Sequence, residues 1–138
     1  MESTINMQDL RYLNLFEKIT RISTRYCFKY NEILMFAVPR NLISRALGKN
    51  NENLKKISSI LKKRIRVIPL PRKTTDAKFF IESIISPVDF KGLEIIDNKL
   101  ILTAGSQNKA ALIGRNKRRL DEMKKIIKSF FGLEYKIV

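Results

Sequence analysis

The 138 residues are 44% hydrophobic, enough for one ordinary core or two very small ones and too apolar for a disordered tail. Against 13 Asp and Glu stand 28 Lys and Arg, a formal charge of +15; this points to a polyanion, nucleic acid before an anionic membrane surface, and gives no reason for a small-molecule substrate. With no histidine and one cysteine, Cys27, the chain excludes an internal disulfide and a cysteine zinc site and lacks the commonest general base, so neither metal nor cofactor is expected.

In chain order, "MQDLRYLNLFEKITRIS" comes first. Leu10, Leu13, Phe16 and Ile19 follow helical spacing, and Asp9 sits in the first turn, where a carboxylate suits the helix dipole. "TRYCFKYNEILMFAV" predicts a β-hairpin turning at Asn31, its second strand the more buried because "ILMFAV" is continuously apolar. Pro39 ends that strand. "NLISRAL" is a short helix, 48–51 a loop, "ENLKKISSILKK" a second helix, and "RIRVIPL" a strand of alternating basic and apolar residues.

Pro69 and Pro71 then fix an extended connection, and the order repeats beyond it. "TTDAKFFIESIIS" is a helix capped by Thr75 or Asp76, and "VDFKGLEII" with "KLILTA" a hairpin turning at Asp97 and Asn98. "QNKAALI" is a short helix, 114–117 a loop, "RRLDEMKKIIKSFF" a long helix, and "EYKIV" a closing strand. Gly48 and Gly114 lie 66 positions apart, and the turns at Asn31 and Asn98 lie 67 apart. Leu54 matches Leu120, Ile57 matches Met123, and Ile60 and Leu61 match Ile126 and Ile127. One unit of helix, hairpin, helix, loop, helix and strand is used twice, a duplicated module rather than a solenoid. Both copies share the charge: residues 1–70 hold 14 basic and 5 acidic groups, residues 71–138 hold 14 and 8.

At each corner between the paired helices, the backbone N–H groups opening the second helix have no intrahelical partner and carry the positive end of its dipole. Gly48 or Gly114 lets a phosphodiester approach without meeting a β-carbon, and Lys49 or Arg115 adds a full charge beside it. Asn50, Asn51 and Asn116 can donate to phosphate or sugar and tolerate a left-handed backbone.

A glycine-x-x-glycine loop between two helices, beside a three-stranded sheet, is the hallmark of KH RNA-binding domains. Through "LRYLNLFEKIT", "ALGKNNENLKKI" and "LIGRNKRRL", nearly the whole chain resembles two type II KH domains in tandem, the organisation of the archaeal NusA-like transcription factors. The resemblance implies an α+β fold of two α-β-β-α-α-β modules, residues 1–70 and 72–138, each a three-stranded sheet with helices on one face. It also implies capture of single-stranded RNA, on nascent transcripts in elongation or termination, with RNA polymerase or the ribosome as further partners. The RNA-binding residues it implies are Gly48, Lys49, Asn50, Asn51 and Arg66 in the first module. In the second they are Gly114, Arg115, Asn116, Lys117 and Arg118. Ile43, Leu47 and Ile113 stand nearby and read as core more than groove. The last glycine of the pattern is Asn51 in one copy and Lys117 in the other. Lys117 would bring a β-carbon into the loop, so the first module is the expected tighter binder.

Catalysis is not expected. Asp89, Glu94 and Asp97 fall on a hairpin, Asp121 and Glu122 lie on a helix with Lys124 and Lys125 nearby, and Cys27 reads as a core residue. The loops lack the second Gly-Lys pair of a nucleotide-binding P-loop. Membrane-surface binding by "KRRLDEMKKIIKSFF" is the weaker reading, since the same pattern suits a helix packed on a sheet. The sequence has neither a signal peptide nor an apolar run near the ~20 residues of a membrane span, and a soluble cytoplasmic protein is expected. A basic protein coating ribosomal or other structured RNA, with no transcription role, is the alternative.

Overall fold

The protein's structure, a computed structural model, describes residues 6–138; the first five residues of the expected 1–70 unit lie outside the described residues. The chain divides between Leu70 and Pro71 into two compact units.

In the first unit, helix α1 (Met7–Thr20) begins at Asn6, whose side-chain oxygen accepts a hydrogen bond from the Asp9 amide at 2.7 Å. It buries Leu13, Phe16 and Thr20, while Leu10, one turn nearer the start, is 44% exposed and not part of the expected apolar stripe. Thr20 is buried yet satisfied: its hydroxyl donates to the Phe16 carbonyl at 2.7 Å and accepts from the Ile22 amide at 3.1 Å. Strands β1 (Cys27–Tyr30) and β2 (Ile33–Val38) form the hairpin, turning through Asn31 and Glu32, whose φ of 51° and 63° suit a two-residue type I′ turn.

Helices α2 (Ile43–Leu47) and α3 (Glu52–Leu61) then cross over to β3 (Arg64–Pro69), which runs parallel to β2. The sheet order is β1-β2-β3, so β2 is central. All six of its residues are buried, as its unbroken apolar run requires. Leu34, Phe36 and Val38 meet Leu13, Phe16, Ala46 and Ile57 in the core, where the rings of Phe16 and Phe36 stack with centroids 4.4 Å apart.

The second unit repeats this order with α4 (Ala77–Ile85), β4 (Gly92–Ile96), β5 (Lys99–Thr103), α5 (Lys109–Ile113), α6 (Arg118–Phe131) and β6 (Glu134–Ile137). Its sheet order is β4-β5-β6, again antiparallel and then parallel. Phe80 of α4 packs on Phe130 and Phe131, with centroids 4.8 and 5.8 Å away. Before α4 the chain makes one tight turn, Thr74–Asp76, and the Asp76 carboxylate accepts from the Arg72 and Lys73 amides at 2.9 and 3.3 Å. Asp76 therefore ties down the backbone leading into the helix, and Thr75 is not the cap.

The offset between copies is more regular than the sequence suggests. The second turn uses Asp97 and Asn98, with φ of 50° and 65°, so Asn31 corresponds to Asp97 and Glu32 to Asn98, 66 positions apart like the two glycines. Ile57 and Met123 are both buried, but Ile60 is 53% exposed where Ile126 is buried. The two helices also differ in length: α3 stops after 10 residues and α6 runs for 14, one turn further.

These packings set separate expectations. Phe36→Ala should cost about 3–5 kcal/mol and lower the urea midpoint clearly. Ile60→Ala should stay within about 0.5 kcal/mol of the parent.

Candidate nucleic-acid interface

The Gly48 corner is built by backbone geometry. The Gly48 amide donates to the Ser44 carbonyl at 3.1 Å and closes α2, and the Asn51 amide donates to the Gly48 carbonyl at 3.1 Å across a single turn. Gly48 has φ 78° and ψ 174°, a combination essentially confined to glycine. Asn50 (54°, 32°) and Asn51 (60°, 28°) follow in the left-handed region before α3 starts. The Gly114 corner repeats this: Gly114 at 77° and 172°, Asn116 at 56° and 29°, Lys117 at 60° and 22°. Its two hydrogen bonds measure 2.9 Å, Gly114 amide to Ala110 carbonyl, and 3.2 Å, Lys117 amide to Gly114 carbonyl. Across these six angles the largest difference is the last, 28° against 22°. Lys117 adopts the same backbone as Asn51 and keeps the hydrogen bond that closes the turn, so its β-carbon does not distort the loop.

A strut crosses each corner. The Asn53 side-chain amide donates to the Arg45 carbonyl at 3.4 Å, and the Arg119 guanidinium donates to the Ala111 carbonyl at 2.9 Å. Both bonds span eight residues at corresponding positions. Each strut runs directly over the glycine: a β-carbon on Gly48 would lie 2.9 Å from Asn53 Nδ2, and one on Gly114 would lie 2.8 Å from Arg119 Cγ. Asn53 and Arg119 hold the shape of the loops and were not found from the sequence, because an amide and a guanidinium share no residue type that periodicity would reveal.

The corners face solvent. Lys49, Asn50 and Asn51 are exposed, as are Arg115, Asn116, Lys117 and Arg118. Neither Asn51 nor Lys117 caps its helix with a side chain, in contrast to Asn6 on α1. The amides opening α3 and α6 thus meet no capping side chain, which leaves room for an anion. The charges differ, however: residues 48–52 carry one cation, Lys49, and one acid, Glu52, whereas residues 114–118 carry Arg115, Lys117 and Arg118 with no acid.

Arg66 is not brought to this corner. It alternates on β3 with Ile65 and Val67, which pack against the helix-side core, so its side chain leaves the opposite face of the sheet together with Arg64. Burial, and then the charge of Arg64, hold its guanidinium below the usual range. Ile43 packs on the core, and Leu47 and Ile113 are half-buried.

Elsewhere, burial and then the charge of Asp9 push the Cys27 thiol up to about 12, so it is no thiolate nucleophile near neutral pH. Asp89, Glu94, Asp97 and Asp121 are exposed. Among the described residues no three His, Cys, Asp or Glu side chains gather as metal ligands, and no helix is long and apolar enough to cross a membrane.

No family model matches the sequence. The chain is 26% identical over 125 residues to a protein of Methanococcus vannielii described as "Probable transcription termination protein NusA", covering 88% of this chain and 70% of that protein. A crystal structure described as that of APE1850 superposes with a TM-score of 0.66 at 21% identity, covering 96% of this chain and 99% of that one, a likeness of fold.

Gly48→Ala and Gly114→Ala should each cost at least about 1–3 kcal/mol by thermal unfolding, from dihedral strain and the clash with the strut. Lys117→Gly, at a left-handed position with no such clash to relieve, should instead stabilise by about 0.5–1 kcal/mol.

Proposed function

We propose that the chain is a tandem pair of type II KH modules, meeting near residue 71, that bind single-stranded RNA without catalysing a reaction. The observation that carries this reading is the matched pair of glycine corners, identical in backbone and exposed, each opening a helix that no side chain caps. An RNA phosphate would accept from the amides that open α3 or α6, with Lys49 or with Arg115, Lys117 and Arg118 beside it, while Asn50, Asn51 and Asn116 donate to phosphate or sugar. Asn53 and Arg119 would act as positioning residues that keep each loop in its binding shape.

The order of strength expected between the modules is reversed relative to the sequence reading. Lys117 leaves the loop intact and adds charge, whereas Glu52 offsets Lys49, so the second corner is the proposed stronger phosphate site. The similarity to a relative named for transcription termination supports nascent transcripts as the setting and RNA polymerase as a further partner, in the cytoplasm. Coating of ribosomal or other structured RNA is the competing outcome, and preference between strands decides it. A short unpaired RNA should outcompete a duplex of equal charge; equal competition would favour the coating reading.

The test is a salt titration of binding to a labelled unpaired RNA. Each lost phosphate contact should reduce the log–log salt slope by about 0.7. Arg115→Gln with Lys117→Gly should therefore reduce it by about 1.4 and Lys49→Gln by about 0.7, with melting temperatures held or raised. Slopes unchanged in both variants would remove the corners from the interface.

A further inference from the structure

A second concentration of charge lies at the far end of α3, ten residues or about 15 Å from the Gly48 corner. There a cleft of about 470 Å³ opens between the start of α1, the β1–β2 turn and the α3–β3 corner, a size within the ~300–1,000 Å³ range of ligand sites. Lys62, Lys63 and Arg64 follow one another along one wall, the Arg64 side chain turning to the sheet's far face as alternation on β3 requires. Their backbone is fixed: Lys62 ends α3 in the left-handed region (55°, 43°), the Lys63 amide donates to the Ser58 carbonyl at 3.3 Å, and the Ser58 hydroxyl donates to the Lys63 carbonyl at 2.6 Å. Arg64 is held in register with Ile33.

The cleft's nearest acid on the turn, Glu32, is engaged by Lys29 at 3.3 Å. The three consecutive cations have no carboxylate partner among the described residues. Three like charges on a rigid corner repel one another, and a polyanion relieves that repulsion.

The opposite wall has different chemistry. Gln8 donates from its side-chain amide to the Tyr12 hydroxyl oxygen at 2.7 Å, fixing the phenol, and Asp9 lines the cleft beside them. Burial lifts the Asp9 carboxyl above its usual range. Cations on one side with a carboxylate and an aromatic ring on the other match a ligand that is anionic at one end and a planar hydrogen-bond donor at the other.

We propose that this cleft is a nucleotide site: a phosphate meets Lys62 and Lys63, while the base lies along Tyr12 with an exocyclic amino group donating to Asp9. The proposal rests on the RNA reading above only for the class of ligand, since none of its residues belongs to a glycine corner. The second unit has no counterpart. There α6 ends at Gly132, also left-handed at φ 68°, and the chain continues through Leu133 and Glu134 where the first unit has Lys63 and Arg64.

The full chain, labelled with ¹⁵N, can be titrated with the four nucleoside 5′-monophosphates and with inorganic phosphate while amide shifts are followed by NMR. The expected result is shifts at Gln8, Tyr12, Lys63 and Arg64. The cytidine, adenosine and guanosine monophosphates should bind about threefold to tenfold tighter than the uridine one, whose base has no exocyclic amine. Asp9→Ala should erase that difference. Lys62→Gly with Lys63→Gln should erase the shifts, the glycine copying the fold's own solution at Gly132. Equal responses to inorganic phosphate and all four nucleotides, or shifts confined to the corners, would overturn the proposal. Repeating the titration in Lys49→Gln with Arg115→Gln separates the two readings: the cleft shifts must survive there whether or not the corners bind RNA.

Discussion

A glycine at φ near +78° and ψ near 174° admits no side chain without strain, and each half of this chain turns its helix pair on such a residue. The neighbouring strut reinforces the constraint, because Asn53 or Arg119 occupies the space a β-carbon would need. Together they fix where the amides of α3 and α6 point. The two residues before each second helix also have positive φ, yet asparagine and lysine serve there. Strain of that kind is tolerable, at roughly 1–2 kcal/mol for each left-handed residue, whereas the first position has no substitute. This explains why the four-residue pattern survives with one glycine.

The rest of each unit supports that corner. A central strand (buried along its length in β2, and at Leu100 and Leu102 in β5), a type I′ turn on one side and a parallel crossover on the other fix the sheet on which the helices rest. Within this shared frame the copies differ in charge. The first has a balanced corner and three consecutive cations at the end of α3 that have no carboxylate partner among the described residues; the second concentrates its cations at the corner and ends α6 with a glycine. If duplication supplied the frame, these substitutions divide the electrostatic work between its halves.

Most of the frame was legible in the sequence because it rests on local signals. The apolar run of β2, the prolines bounding β2 and the link, and the glycine corners each follow from backbone chemistry that one residue type declares. What escaped depends on geometry that spacing does not encode. Leu10 fits the helical period of α1 but falls in an exposed first turn, and Ile60 fits the repeat but is exposed where Ile126 is buried. Arg66 lies on the strand that was expected, but the alternation of β3 turns it away from the corner. Asn53 and Arg119 were invisible because they perform the same task with unlike side chains. Lys117 looked like an obstruction until its backbone proved to match that of Asn51.

The most direct test of the central claim is a structure of the chain bound to a short unpaired RNA. It should show phosphate oxygens 2.7–3.2 Å, by the usual geometry, from amides following Gly48 or Gly114, with the second corner occupied at least as fully as the first. RNA lying elsewhere, with both corners open to solvent, would contradict it.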